Sequence, residues 1–216
     1  MLTVREAIQK RRSIRSFNQT PVPDEMIFEM LEAARLAPSG SNAQPWRFVV
    51  VTDAEEKKEL RKLCFDQAFV EEAGVLFVFC TDLSVYSGRT RQTRMQEMIN
   101  AGVFADRELD DSRTQRYIEM PDESDTAFYL PMATANTYIA VEHIVLTATA
   151  LGLGSCWVGG ISDLKAIRDM LGIPRGIFVH GLVAVGYTDT EPKARPRLPL
   201  DEMLLRPFPS SVGSPH

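Results

Sequence analysis

Cysteine and histidine are both scarce in this chain, with three of each among 216 residues. Cys64, Cys80 and Cys156 are odd in number and far apart, which excludes a disulfide framework. They lie in segments patterned as helix or strand and read as small buried hydrophobes. No cysteine and histidine share the spacing of a zinc site. His143 falls inside an apolar helical stretch and His180 inside a strand, both structural positions, and His216 ends the chain. Neither a catalytic triad nor a metal set emerges. Long apolar runs are also missing: the best candidate, Met132 to Leu151, is interrupted by Glu142 and His143, short of the roughly 18 residues that a membrane span needs. The first twelve residues have no apolar stretch and no small-residue cleavage site, so they read as a charged amphipathic helix and the expected location is the cytoplasm. Charge of one sign is not concentrated anywhere along the chain. With a net charge of −5 and basic residues spread throughout, there is no general footprint for nucleic acid or an anionic membrane. No repeat with a period of about 20 to 50 residues is present. What remains is a chain with 44% hydrophobic residues, long enough for a single mixed domain spanning residues 1–216.

Local signals give an order of elements. Thr3 and Glu6 form a capping-box pattern, predicting a helix from Val4 to about Arg11. A second helix is expected from about Pro23, with Asp24 and Glu25 in its first turn and Met26, Ile27, Met30, Leu31 and Ala34 as its buried stripe; Pro38 stops it. Arg47 to Thr52 and Val75 to Thr81 read as buried strands, separated by a helix with a capping box from Asp53 to Glu56. Residues 82–129 are charged, Met-containing and weakly periodic, and read as helical segments with loops forming a lid or insertion. Met132 to Leu151 is apolar on nearly all sides and predicts a buried central helix, with Gly152 as its C′ residue. A short strand at Gly154 to Gly159, a capped helix at Ser162 to Leu171 and a strand at Ile177 to Tyr187 follow. Residues 189–216 form an extended tail rich in proline and arginine, with a short helical patch from about Asp201 to Leu205.

Four motifs carry possible chemistry, and each has a plain structural reading beside it. Arg11, Arg12, Ser13 and Arg15 put three guanidinium forks and a hydroxyl within five residues, a set that grips phosphate; arginines at a helix C-terminus also simply complement its dipole. Ala37 to Trp46 is a proline-bracketed polar loop whose Asn42 and Gln44 offer donors and acceptors to a heterocycle, while Ser39 and Gly40 permit close approach; it also suits a capped turn. Gly152 to Gly160 superficially resembles a dinucleotide fingerprint. It leaves a helix and enters a strand, however, the reverse of a Rossmann loop, so Gly159 and Gly160 are better read as letting a planar ligand approach backbone amides. Arg195 and Arg197 flank Pro196 on an extended segment, either a second phosphate grip or a solvated basic patch.

In this order and spacing, the Arg-Arg-Ser-x-Arg opening, the Pro-Ser-x-x-Asn-x-Gln-Pro-Trp loop, the Gly-Leu-Gly-Ser-Cys-Trp run and the late Arg-x-Arg-x-Pro-Leu resemble the nitroreductase family over about Thr3 to Leu205. The resemblance implies a three-layer α+β fold with a mostly antiparallel central sheet flanked by helices, in an interlocked homodimer with FMN at the subunit interface. It implies that Arg11, Ser13, Arg195 and Arg197 hold the FMN phosphate, Arg12 supports the ribityl chain and Arg15 faces the N1 and O2 edge. Pro38, Ser39, Gly40 and Asn42 would come from the other subunit, and Val158, Gly159 and Gly160 would lie along the flavin with the Gly159 amide near N5. Val158 stands where relatives often carry an acidic residue, so a role for that carboxylate is absent.

The implied activity is ping-pong hydride transfer from NADH or NADPH through FMN to a small-molecule electron acceptor such as a nitroaromatic or quinone, with no catalytic side chain beyond the tuning roles of Arg15 and Gly159. Alternatives on the same fold are a reductive dehalogenase or flavin-cleaving enzyme, and a non-enzymatic redox sensor. The lid offers Met95, Met98, Phe104, Tyr117 and Phe128 to a flat ligand and Arg89, Arg91, Arg94 and Arg107 to an anion, or else forms an ordinary amphipathic packing face.

Overall fold

The computed structural model describes residues 2–104, Ser112, Gln115, Arg116, Glu119 and residues 126–206. Four β-branched and aromatic runs become strands: β1 (Trp46–Val51), β2 (Val75–Asp82), β3 (Gly154–Val158) and β4 (Ile177–Gly186). They lie in the order β1-β2-β4-β3, each antiparallel to its neighbour. β2 is buried at every position, which explains why its sequence is a continuous apolar run rather than an alternating one. Between β2 and β4 the register slips at Phe79/Cys80: Phe79 pairs with Gly181 and Cys80 with Val179, leaving His180 as the extra residue of a bulge.

Helices cover both faces of this sheet. On one face Leu76, Val78, Cys156 and Leu182 pack with Leu60 of α3 (Ala54–Leu63), Phe69 and Val70 of α4 (Ala68–Glu72), and Ile167 of the short helix Leu164–Met170. On the other, Phe77, Phe79, Val183 and Val185 meet Ile27, Met30 and Ala34 of α2 (Asp24–Arg35) and Ala140, Val141 and Ile144 of the long helix α6 (Thr126–Ala150). The helix Leu164–Met170 is α7. The result is the three-layer α+β arrangement expected from the sequence, with a fully antiparallel sheet among the described residues.

The local signals mostly hold where they are self-contained. α1 (Val4–Lys10) starts at a complete capping box, the Glu6 carboxylate accepting from Thr3 N at 2.7 Å and Thr3 Oγ1 accepting from Glu6 N at 3.3 Å. Asp53 caps α3 by accepting from Glu56 N at 2.9 Å. Gly152 sits at φ +81°, and the bonds Gly152 N to Thr149 O at 3.1 Å and Leu153 N to Ala148 O at 2.8 Å close α6 in a Schellman motif.

Several boundaries differ from expectation. α2 ends at Arg35, ahead of Pro38, and Pro23 is its N-cap rather than its first helical residue. β3 stops at Val158, before Gly159, and α7 is trimmed at both ends to Leu164–Met170, with Asp163 accepting from Lys165 N and Ala166 N. α6 begins at Thr126, upstream of Met132, and carries Pro131 inside its first turns, where the ring removes a bond only to the exposed Ala127. The segment expected as a lid, residues 82–129, therefore gives its last residues to α6; α5 (Gly88–Asn100) is its described helix, and Arg107 and Tyr117 lie outside the described residues. The helical patch in the tail is a single 3-10 turn, Asp201–Met203. Among the described residues, no helix is long and apolar enough to cross a membrane.

Candidate active site

On the edge away from β4, β3 is met by the segment after α1. Ile14 N donates to Ser155 O at 2.9 Å, and Ser13 and Ser155 form an isolated parallel bridge. This contact requires Gly154, because a Cβ there would lie 2.7 Å from Ile14 Cγ1. The bridge holds Arg11 to Arg15 at the start of β3. Arg195 and Arg197 arrive from the tail, and together with Arg11, Arg12, Ser13, Arg15 and Lys193 they line a cavity of about 420 Å³ that contains no carboxylate.

The electrostatics of neighbouring groups report the same convergence. Burial raises the Cys156 thiol pKa, while the guanidinium groups of Arg15, Arg11 and Arg195, in that order, act to lower it. Burial also raises the Glu142 carboxyl on α6, with Arg11 opposing it. Among the described residues, Arg11, Arg12, Arg15, Arg195 and Arg197 form no ion pair. Arg12 is partly engaged, donating to Gln9 O at 2.6 Å and Arg11 O at 2.8 Å, so it closes the end of α1 as well as lining the cavity. Cys64 and Cys80 take no part: burial pushes their thiols up to about 11 and about 12, as expected of packed hydrophobes.

At the other end of β3 the surroundings change. Val158 is buried and offers only its backbone, whereas Gly159 and Gly160 are exposed, and a side chain at Gly159 would meet nothing within 4 Å. Beside Gly160 lie Phe65 and Gln67, 3.5 and 3.6 Å from the position its Cβ would take. The sequence reading missed these two residues. Their loop is stapled to the segment after β3 by Ser162, whose N and Oγ both donate to Leu63 O, at 2.9 and 3.0 Å. Gln67 Nε2 donates to Cys64 O at 2.9 Å and Asp66 N to Arg61 O at 3.1 Å. The signal for it in the sequence is an aromatic, Phe65, placed in the polar exit of a helix.

The Pro38–Asn42 loop stands apart from the arginine cavity, which none of its residues line. It is a capped turn, with Gln44 N donating to Ser39 Oγ at 3.0 Å, and it leans on α6 through Gly40 N to Asn136 Oδ1 at 3.4 Å. Pro38, Gly40 and Asn42 are exposed and Ser39 is half-buried. Of the six non-glycine residues with positive φ among the described residues, Ser41, Asn42 and Gln44 belong to this loop and Phe65 and Asp66 to the loop beside Gly160. Backbone of this kind costs about 1 to 3 kcal/mol per residue and concentrates at ligand sites.

The lid arginines divide. Arg91 is buried, with Nη1 donating to Tyr86 O and to Tyr129 OH, so it ties α5 to α6 and is not placed to attract a soluble anion. Arg94 pairs with Glu97 at 2.5 Å. Arg89 is exposed, and so is Phe128.

The sequence profile of the nitroreductase family matches residues 8–187, most of the chain. The chain is 38% identical over 207 residues to an NADH dehydrogenase of Thermus thermophilus, covering 95% of this chain and 96% of that one. It is 29% identical over 195 residues to the NADPH-flavin oxidoreductase of Vibrio harveyi, covering 90% of this chain and 69% of the relative. Among solved structures, a nitroreductase-like protein from Streptococcus mutans superposes with a TM-score of 0.81 at 23% identity, covering 94% of this chain and 97% of the other, a likeness of fold. The NADPH:FMN oxidoreductase from Vibrio harveyi, solved with NAD+, superposes at 0.72 with 26% identity, covering 97% of this chain and 79% of the other. With a family match over residues 8–187 that takes in the whole of β3 and the arginines after α1, the chain belongs to the nitroreductase family.

Proposed function

We propose that the protein is an FMN-dependent oxidoreductase that takes electrons from NADH or NADPH and passes them to a small electron-poor acceptor such as a nitroaromatic or a quinone. The observation that carries this reading is the pair of unlike ends on β3: a carboxylate-free arginine cavity, and exposed glycine backbone in the direction of the strand. From Ser155 to Gly159 the strand advances roughly 13 Å, a distance that an extended ribityl phosphate and its ring can span. The donors fit the cofactor: guanidinium forks and a serine hydroxyl suit a phosphate monoester, and bare backbone suits a flat ring.

Arg11, Ser13, Arg195 and Arg197 would hold the phosphate, with Arg12 beside the ribityl chain. Arg15 would hold negative charge at the pyrimidine edge of the ring, since its fixed charge needs no proton to act there. Gly159 would present its amide to the ring and Gly160 would keep the approach open, while Val158 anchors both by burying its side chain. Bound FMN supplies the two-electron chemistry; the chain supplies position and charge. Phe65 would wall the acceptor side of the ring.

A homodimer completes the reading. Met132, Tyr138 and Ile139 on α6 and Leu198, Leu200 and Met203 in the tail are exposed apolar residues, more than a lone chain needs to leave bare. A second copy covering α6 would bring its Pro38, Ser39, Gly40 and Asn42 to the cofactor. The whole chain would then act as a single cytoplasmic flavin-binding domain with residues 82–129 as the lid. An absorption spectrum of the purified protein with added FMN, followed by anaerobic mixing with NADH or NADPH, tests the proposal. Bleaching of the yellow chromophore and its return on adding a quinone is the expected result; a protein that takes up no FMN overturns it.

A further inference from the structure

His180, the extra residue of the bulge between β2 and β4, projects toward α6 and ends a chain of buried hydroxyls. The direction of that chain follows from its far end. Thr137 Oγ1 donates to the Ala133 carbonyl at 3.0 Å, and a carbonyl only accepts, so the single Thr137 proton is committed there. At the 2.8 Å contact between Thr81 and Thr137, Thr81 must therefore be the donor. Thr81 then has no proton left for His180 Nε2, 2.7 Å away, so Nε2 carries the hydrogen and Nδ1 the lone pair. Thr134 Oγ1, 3.4 Å from the same Nε2, is a second, weaker acceptor.

Among the described residues, the groups against the ring give an added charge no ion-pair partner. From β2 come Thr81 and Phe79, whose ring stacks with His180 at 6.4 Å; from α6 come Thr134 and Tyr138, the latter at 6.1 Å between ring centres. The nearest acid along β2, Asp82, is held by Arg47 at 2.7 Å and by Ser84 at 2.6 Å. Glu142, one turn along α6 from Tyr138, is engaged by Trp157, which stacks on Tyr138, and by Arg11. Burial lowers the His180 pKa below the ordinary histidine value of 6.5. The sign follows: the neutral ring is fully favoured above the unfolded-state value, and the stabilisation is lost as pH falls through the lower folded-state value.

The two halves of α6 depend on this cluster unequally. Ala140, Val141, Ile144, Val145 and Ala148 fix the C-terminal half by apolar packing. The N-terminal half has a smaller apolar cluster, Tyr129 and Ala133 against Leu83, Val85 and Tyr86, and it is the half that carries the polar contacts to the sheet and loop: Thr137 with Thr81, and Asn136, which accepts from Gly40 N and donates to Tyr86 OH, each at 3.4 Å. We propose that His180 is a proton-sensitive latch on the N-terminal half of α6, clamping helix to sheet when neutral and loosening it when protonated, together with the Pro38–Asn42 loop that Asn136 holds. The bond to Thr81 survives protonation; the loosening comes from placing an unpaired charge in a half-buried apolar cluster. The consequence for the cofactor rests on the reading of Pro38–Asn42 as a flavin contact given above.

Ring nitrogen NMR of the full-length labelled protein, titrated without FMN from about pH 8 to about pH 5, tests the latch directly, with His180→Gln assigning the signal. The expected result is the Nε2–H tautomer at high pH and a midpoint below that of an ordinary histidine. Amide exchange, corrected for its intrinsic pH dependence, is expected to rise roughly tenfold more in residues 126–138 than in 139–150 below that midpoint. In H180Q, whose amide still donates to Thr81 but takes no proton, the two halves are expected to respond alike. The Nδ1–H tautomer, a midpoint at or above the ordinary value, or the same pH response in H180Q overturns the latch; the first two are read on the unmutated protein and do not depend on the variant folding. FMN titrations at both ends of the pH range then examine the coupling. Affinity that falls in acid in the wild type and not in H180Q supports it, and equal falls in both overturn it. A protein that binds no FMN at either pH overturns the cofactor reading, while the tautomer and exchange results still decide the latch.

Discussion

At Gly154, β3 is packed so tightly against Ile14 that a methyl group has no room, and guanidinium groups crowd the cavity beside it. At Gly159 and Gly160 the same strand opens to empty space, flanked by an exposed phenylalanine on left-handed backbone. The first end is specified by long-range contacts and charge, the second by what is left out. On the proposed reading, affinity and access belong to different ends of one short element, so substitutions at the two ends should separate them.

The largest effect is expected at the charged end. Arg195→Ala and Arg197→Ala should each weaken FMN binding by roughly 10- to 150-fold, the cost of about 1.5 to 3 kcal/mol for a charge-assisted contact, and the double variant by more. Fluorescence titration of FMN measures this. Because both residues lie in an exposed tail, the thermal midpoint of the cofactor-free protein should stay where it is. Undiminished affinity in the double variant would remove the distinction between the two ends.

Next comes Gly154→Val, which forces side-chain atoms into Ile14 and should cost about 1 to 3 kcal/mol of stability through overpacking. Denaturant midpoints read the loss. The matching change at the open end, Gly159→Val, meets no neighbour, so its stability should fall by less than that of G154V, while FMN affinity drops because the side chain stands where the ring would approach. Equal destabilisation by the two variants would break the comparison.

The smallest effect on the fold is expected from Phe65→Ala. The side chain is 67% exposed, so stability should change within about 0.5 kcal/mol. FMN affinity should hold while KM for a quinone rises, a split visible in steady-state kinetics. A loss of FMN affinity as large as that of the arginine variants would place Phe65 at the phosphate end instead.

What the sequence made legible was whatever is decided within a few neighbours. The Thr3–Glu6 box, the Asp53 cap, the Gly152 stop and the apolar run of β2 each carry their reason locally, and each stands close to where it was expected. The arginine clusters were legible as chemistry but not as one cavity, because Ser13 meets Ser155 only through a tertiary bridge. Arg91 misled for the same reason: nothing near it in the chain announces that Tyr86 and Tyr129 will enclose it. Phe65 and Gln67 were missed because, beyond the oddity of an aromatic in a polar helix exit, they matter by lying beside Gly160, a neighbour supplied by the staple at Ser162. The start of α6 shows the opposite case: a helix expected from Met132 begins at Thr126 and passes through Pro131, whose ring removes a bond only to the exposed Ala127.

The bridge between Ser13 and Ser155 also sets a timetable for biosynthesis. The first arginines of the cavity leave the ribosome before their strand partner, and Arg195 and Arg197 emerge after both. A nascent chain thus has no complete anion site until Arg197 has been made. The sheet's hydrogen bonds can form before the anion is captured, and a chain cut before Arg195 would keep the four strands and only half of the grip.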